Sequence, residues 1–328
     1  MSQTIRIGIA GYGNLGRGVE TAIHKNPDMS LVGVFTRRAP ESVATLSPHT
    51  AVYSMDALAK FQDKIDVMIL CGGSKDDLPK QGPALAAMFT TVDSFDTHAK
   101  IPEYFDAVDA PAKAGKHTAL ISIGWDPGMF SINRLYGEAL LPDGATYTFW
   151  GKGVSQGHSD AIRRVAGVKA GVQYTIPASA AMDKVRSGVR PALTTREKHT
   201  RECFVVLEAG ANADAVREAI VTMPDYFADY DTIVHFIGEA ELHQAHNRMP
   251  HGGFVIRSGN TSAEQVQVIE YSLQLDSNPE FTASVLVAYA RAAYRLNQRG
   301  QFGAMTALDV APSLLSIKSP AELRKELL

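Results

Sequence analysis

Residues 5–16 read IRIGIAGYGNLG, an apolar run that enters a turn built on Gly11, Gly13 and Gly16. The following NLGRGVETAIHK sets Leu15, Val19 and Ile23 at helical spacing until Asn26-Pro27 ends the pattern. Strand, glycine turn and helix in this order form the G-x-G-x-x-G fingerprint of a dinucleotide-binding turn. Gly11 permits the tight turn, Gly13 lets the backbone approach a pyrophosphate, and Gly16 lets the helix lie against the strand. The N–H groups of the segment Tyr12-Gly13-Asn14-Leu15 then face an anion at the helix start. An ordinary sharp turn also uses glycine; the strand before it and the helix behind it favour the nucleotide reading.

The next strand selects the cofactor. LVGVF (31–35) is apolar and ends in Thr36-Arg37-Arg38. A site for NAD places Asp or Glu there to hold the ribose 2′-hydroxyl. Two guanidiniums instead suit a 2′-phosphate, which arginine grips bidentately, and they can stack on adenine. The sequence predicts NADP, against the alternative of a solvated basic turn.

Composition sets the remaining bounds. A chain of 328 residues, 45% hydrophobic and 20% charged, describes an ordinary globular protein of two domains or one large one. A net charge of −3 without long runs of one sign argues against nucleic-acid and membrane-surface partners. No run of about 18 apolar residues would span a bilayer. The first strand begins near residue 5, leaving no room for a signal peptide, and Cys71 and Cys203 form no disulfide framework. A reducing cytoplasm is the expected compartment.

Strands and helices alternate through the first third. IDVMILC (65–71) ends at Cys71 and is followed by Gly72-Gly73-Ser74, small residues at the carboxyl end of a strand, where open α/β sheets bind ligands. TTVDSFD (90–96) and TALISIG (118–124) continue the series, predicting a doubly wound parallel sheet over residues 1–125. After Asp126-Pro127-Gly128, alternating segments such as TYTFWGKG, REKHTRECFVVLEAG and QVQVIEYSLQL predict an inserted α+β domain with a mainly antiparallel sheet over 126–277. The apolar stripe Phe281, Val285, Tyr289, Ala292 and Leu296 predicts a long helix returning to the first domain within 278–328.

Several groups could carry chemistry. Asp93, Asp96 and Asp126 fall at strand ends, where carboxylates could hold a substrate ammonium. Asp126-Pro127 equally suits a helix N-cap followed by proline at N1, and Asp93 a turn. In FWGKGVSQGHSDAIRR, Trp150 could wall a pocket, and Gly151, Gly153 and Gly157 could offer backbone donors to a carboxylate. His158 and Asp160 are acid–base candidates there, unless Ser159 or Asp160 merely caps a helix. His199 and Arg201, two apart on a strand, share one face, and arginine suits a bidentate carboxylate; a solvated strand edge would look the same. His243, His246 and His251 lack the cysteines or carboxylates that would complete a metal site, so no metal is expected. MPHGG (249–253) reads as a mobile loop.

The segments GYGNLGR, LVGVFTRRAP, GWDPGMFSINR, FWGKGVSQGHSDAIRR, VQYTIP, KHTRECFVV, MPDYF, MPHGG and NPEFTAS together resemble the meso-diaminopimelate D-dehydrogenase family over nearly the whole chain. The resemblance implies a Rossmann-type NADP domain, a substrate and dimerisation domain, and a homodimer. It implies oxidative deamination of the D-centre of meso-2,6-diaminopimelate. It further implies that Asp93 and Asp126 lie near the D-centre amine and that Trp125 and Trp150 wall the pocket. The backbone around His158 and Ser159 would take the D-centre carboxylate; Thr175, His199, Arg201, His251 and Asn278 would hold the L-centre. Alternatives of other kinds are a broader NADP-dependent D-amino acid dehydrogenase and a non-catalytic NADP sensor.

Overall fold

The computed structural model describes residues 4–328. Strands β1 (Ile5–Ala10), β2 (Met29–Thr36), β3 (Val52–Ser54), β4 (Val67–Leu70), β5 (Thr91–Asp93) and β6 (Thr118–Leu120) come first. They are followed by β7 (Gly144–Trp150), β8 (Gly153–Val154), β9 (Val168–Pro177), β10 (His199–Leu207), β11 (Asp231–Phe236), β12 (His251–Ser262) and β13 (Gln265–Leu275), with β14 (Gly303–Met305) last. The chain forms two compact units, one comprising the chain to Ile132 with Pro279–Leu328 and the other Asn133–Asn278. Among the described residues no helix is long and apolar enough to cross a membrane.

The first unit is a seven-stranded sheet in the order β14-β6-β5-β4-β1-β2-β3, parallel throughout. Both faces are covered, and the strand sequences show why. Ile7, Ile9, Val34, Val67, Ile69 and Val92 enter one core with Val19 of helix α1 (Asn14–His24). The alternate residues Ala10, Phe35, Met68 and Leu70 enter a second core, with Leu85 of α2 (Leu78–Ala86) and Val108 of α3 (Ile101–Gly115). Apolar residues at every position are what a parallel sheet buried on both sides requires. The long helix runs Asn278–Gln298, and Val285, Tyr289, Ala292 and Leu296 pack into the first core, as their spacing predicted. Its buried Arg291 pairs with Asp28 at 2.6 Å.

One helix start differs from expectation. Helix α4 spans Phe130–Leu140, so it starts four residues after Asp126 rather than at Pro127. Asp126 is extended (φ −154°, ψ 104°) within a turn closed by the Met129 N–H on the Gly124 carbonyl. The Gly128 N–H instead donates to Ser131 Oγ.

The second unit holds a four-stranded sheet, β11-β10-β9-β8, and a three-stranded antiparallel sheet, β13-β12-β7. β8, β9 and β10 are antiparallel, whereas β11 runs parallel to β10, after the helix Ala213–Val221. The stretch MPHGG is no loop. His251, Gly252 and Gly253 open β12, with Gly253 opposite both Leu273 and Trp150. A Cβ at Gly252 or Gly253 would strike the Leu273 or Phe149 carbonyl, and both have positive φ, so only glycine lets the strands close up here.

Candidate active site

The fingerprint turn in the first unit is tightly specified. Gly11 has φ +95°, its N–H donates to the Phe35 carbonyl at 2.8 Å, and a Cβ on Gly16 would strike the Gly11 carbonyl. A Cβ on Gly13 would meet nothing within 4 Å, so the backbone is open where a pyrophosphate would approach. Gly13 precedes Asn14, the first residue of α1, and Leu15 packs against the core below. A cleft of about 260 Å³ is lined by Gly11, Tyr12, Gly13, Thr36, Cys71 and Gly72 among others. Burial pushes the Cys71 thiol up, which leaves it a neutral wall rather than a nucleophile.

The end of β2 carries no carboxylate. Arg38 donates to the Tyr12 carbonyl at 2.7 Å and thereby reaches the glycine turn. The exposed Arg37 pairs with Asp77 at 2.7 Å, and Asp77 also accepts the Gly73 N–H. Ser74 Oγ accepts the Asp96 N–H at 3.1 Å. The donor set fits an adenine dinucleotide, with guanidiniums where a 2′-hydroxyl partner would otherwise stand.

The carboxylates at the ends of β5 and β6 have different surroundings. Asp93 is 1% exposed and its oxygens already accept from the Tyr104 hydroxyl (2.7 Å), the Phe95 N–H (3.0 Å) and the Ser122 N–H (3.1 Å). Burial raises its pKa to about 6, against the lowering effect of these donors. The oxygens of the carboxylate expected near the amine are thus engaged within the first unit, and almost none of Asp93 is accessible. Asp96, three residues on, is exposed. Trp125 is buried edge-on against Phe130, and Asp126 beside it is partly accessible.

In the second unit, strand register gathers the other predicted residues. Thr175 lies opposite Arg201 on one side and Gly153 on the other, and His199, Arg201 and Cys203 alternate into the buried face of β10. Thr175 Oγ1 accepts from the Arg201 guanidinium, which stacks over Tyr230. Arg201 is 6% exposed, has no carboxylate partner among the described residues, and leaves its Nε without an acceptor. Burial lowers its pKa against the raising effect of Tyr230. His199 Nε2 accepts the Trp150 backbone N–H at 2.8 Å, and the two rings stack. Burial, then the Arg201 charge, depresses His199 to about 3, so the imidazole is neutral. The sequence offered no signal for Tyr230, since its Asp-Tyr-Asp setting resembles any polar turn.

Helix α5 runs Gln156–Arg163, so Ser159 and Asp160 lie inside it rather than capping it. Its first-turn N–H groups, of Gln156, Gly157 and His158, lack intrahelical acceptors. The Ser159 N–H and hydroxyl both donate to the Ser155 carbonyl, and its oxygen accepts the Gln173 N–H. Gly151 N–H is committed to the Gly252 carbonyl and Gly153 is paired in β8; Gly157 alone of the three glycines opens outward. His158 hydrogen-bonds Ser155 Oγ through Nδ1, and burial followed by the Arg201 charge lowers it to about 4. Asp160 is exposed and paired with Arg163.

His251 accepts the Gly252 N–H on Nδ1, and the Asn278 N–H donates to the Met249 carbonyl as Asn278 opens the long helix. His246 stacks on Phe204 and bonds the Tyr174 hydroxyl. Among the described residues no group of three or more His, Cys, Asp or Glu is arranged to hold a metal.

A fingerprint turn at the head of a parallel sheet whose first six strands run in the order 3-2-1-4-5-6 defines a Rossmann-type dinucleotide-binding fold. Residues 124–277 match the family model for the diaminopimelic acid dehydrogenase C-terminal domain. The chain is 64% identical over 324 residues to the meso-diaminopimelate D-dehydrogenase of Ureibacillus thermosphaericus, covering 99% of each. It therefore belongs to the meso-diaminopimelate D-dehydrogenase family. A six-fold substituted variant of the Clostridium tetani enzyme, solved with diaminopimelate, superposes with a TM-score of 0.94 at 56% identity, over 99% of this chain and 100% of that one. An engineered D-amino acid dehydrogenase bound to NADP+ superposes at 0.86 with 46% identity and the same coverage.

Proposed function

We propose that this chain catalyses NADP-dependent oxidative deamination of the D-centre of meso-2,6-diaminopimelate. The products are L-2-amino-6-oxopimelate, ammonium and NADPH, and the reaction is reversible. The observation that carries this reading is Arg201. A buried guanidinium without a carboxylate is costly unless a ligand supplies the anion, and its free Nε is a donor for one. The residue types replaced in the Clostridium tetani variant, in order Gln, Thr, Arg, Pro, His and Asn, occur here at identical spacing as Gln156, Thr175, Arg201, Pro250, His251 and Asn278. This supports assigning the distal L-centre to Thr175, His199, Arg201, His251 and Asn278. It also adds Gln156 and Pro250, which sequence reasoning missed.

The D-centre carboxylate goes to the open N–H groups at the start of α5, at Gln156, Gly157 and His158. Trp125 and Trp150 confine the carbon chain. Asp126 and Asp96 receive the D-centre amine; Asp126 accepts its proton and frees the nitrogen lone pair. The nicotinamide, when bound, supplies the hydride acceptor. The Gly11–Gly16 turn with Tyr12, Asn14 and Leu15, together with Thr36, Arg37, Arg38 and the 71–74 segment, would hold the cofactor. The two ends of the substrate carry identical groups, so recognition of the L-centre decides which end reacts.

The enzyme is proposed to act in the cytoplasm as a homodimer without nucleic-acid or membrane partners. Strand β13 offers a surface for the second copy. It is an edge strand with Val266, Val268 and Ile269 exposed.

The test is NADPH formation from NADP with meso-, LL- and DD-diaminopimelate, each repeated with NAD. Turnover of the meso isomer with NADP is the expected result. Equal turnover of simple D-amino acids would favour the broader dehydrogenase, and NADP binding without turnover would favour a sensor.

A further inference from the structure

We propose that Asp93 is a positioning residue. It ties the turn carrying Asp96 to the turn carrying Trp125 and Asp126, and so sets where these two carboxylates stand. The proposal rests on the reading that Asp96 and Asp126 face the substrate amine.

The hydrogen bonds define the device. Asp93 ends β5, and its Oδ1 accepts from the Phe95 N–H in its own turn and from the Ser122 N–H in the neighbouring one. Its backbone carbonyl takes the next donor along, the Ile123 N–H, at 2.8 Å. One residue thus holds two successive N–H groups of the segment that leads to Trp125 and Asp126. The second oxygen, Oδ2, is fixed by the hydroxyl of Tyr104, whose ring stacks on Phe95 at 4.2 Å. The carboxylate can therefore not swing away without disturbing α3.

Ser122 needs such a holder. It has φ +57°, a left-handed conformation that a residue with a Cβ adopts reluctantly. Its hydroxyl is buried and has no hydrogen-bond partner, so its side chain does nothing to secure that conformation. The bond from its N–H to Asp93 does. Without an acceptor, the buried Ser122 and Phe95 donors would be left unsatisfied, and the turn would relax toward a conformation that moves Asp126. Asp93 itself is too enclosed to meet the substrate.

Three variants test this in the full-length enzyme: Asp93→Asn, Asp93→Ala, and Asp93→Ala combined with Ser122→Gly. Asparagine keeps the oxygen that accepts both N–H groups, and the Tyr104 hydroxyl can turn to accept from its amide. Asp93→Asn is expected to retain at least about half of kcat, while Asp93→Ala loses about tenfold to a hundredfold in kcat with KM for NADP unmoved. Glycine at 122 adopts the left-handed conformation unaided, so the double variant is expected to recover several-fold of that loss. If Asp93→Asn loses as much as Asp93→Ala, the negative charge itself is needed and the proposal is overturned. It is also overturned if Asp93→Ala keeps full kcat, or if the glycine restores nothing. Should Asp93→Ala not fold, Asp93→Asn alone still decides between charge and geometry. Asp96→Asn and Asp126→Asn test the underlying reading separately: full activity in both would remove the amine carboxylates while leaving the result at Asp93 intact.

Discussion

The Arg201 guanidinium carbon lies 3.9 Å from the centre of the Tyr230 ring. The ring covers one face of the cation while Thr175 Oγ1 takes one of its nitrogens, and Nε remains unused. A site that holds a buried charge with so little compensation is arranged for a ligand rather than for stability. Replacing Arg201 with the similarly sized, apolar Met should therefore have two opposite effects. KM for meso-diaminopimelate should rise roughly hundredfold or more, with discrimination among the stereoisomers weakened. Tm should rise by a few degrees, since an uncompensated buried charge is removed. Asp126→Ala should instead act mainly on kcat. Steady-state kinetics and a thermal melt on the same preparations check this; an unchanged KM in Arg201→Met would remove the anchor.

The sequence made the first unit largely legible because local signals there coincide with the fold. The glycine turn, the apolar runs and the stripe on the long helix each act through near neighbours or through periodicity. The pair Asp93 and Asp96 was not separable in this way. Both sit three residues apart in TVDSFD, and only the tertiary approach of Tyr104 and Ser122 encloses the first and leaves the second in solvent. MPHGG misled for a similar reason. Glycine pairs usually signal a loop, but here they admit close packing of β7 and β13 on either side of β12. Ser159 looked like a cap until the structure began α5 three residues earlier.

His158 and His199 are neutral in the folded protein, at about 4 and about 3, chiefly because they are buried and then because Arg201 is near. In the unfolded chain an imidazole titrates near about 6.5. Between these values the unfolded chain binds protons that the folded chain does not, so falling pH favours unfolding. Their contribution is fully present above about pH 6.5 and declines as the pH drops through about 4 for His158 and about 3 for His199. Urea midpoints should fall through this window, and the double variant His158→Gln/His199→Gln should show a shallower slope. An identical slope in the variant would place the acid sensitivity elsewhere.

The same neutrality bears on catalysis. Neither histidine changes charge between neutral and alkaline pH, so neither should shape the pH dependence there. In the proposed reaction the substrate presents a neutral amine, while Asp96 and Asp126, placed beside it by that proposal, would favour its ammonium form. Deamination should accelerate from neutral toward alkaline pH, and the His158→Gln/His199→Gln variant should keep the shape of that profile whatever its absolute rate. A flat profile in the parent enzyme would count against amine deprotonation as the step that Asp126 serves.

Cofactor choice should depend on Arg37 and Arg38 in separable ways. Arg38 donates to the Tyr12 carbonyl, so it braces the glycine turn as well as offering charge; Arg37 is exposed and is held by Asp77. Arg37→Ala with Arg38→Ala should raise KM for NADP about tenfold to a hundredfold, because charge-assisted bonds to a 2′-phosphate are lost, and should alter KM for NAD far less. Asp77→Asn gives the sharper test. Asparagine still accepts the Gly73 N–H but no longer competes electrostatically for Arg37. If Arg37 turns from Asp77 to the phosphate, this variant should bind NADP at least as tightly as the parent, with NAD unaffected. Weaker NADP binding in Asp77→Asn would mean that the ion pair holds Arg37 in its working position, and that the phosphate is read by Arg38 and its neighbours instead.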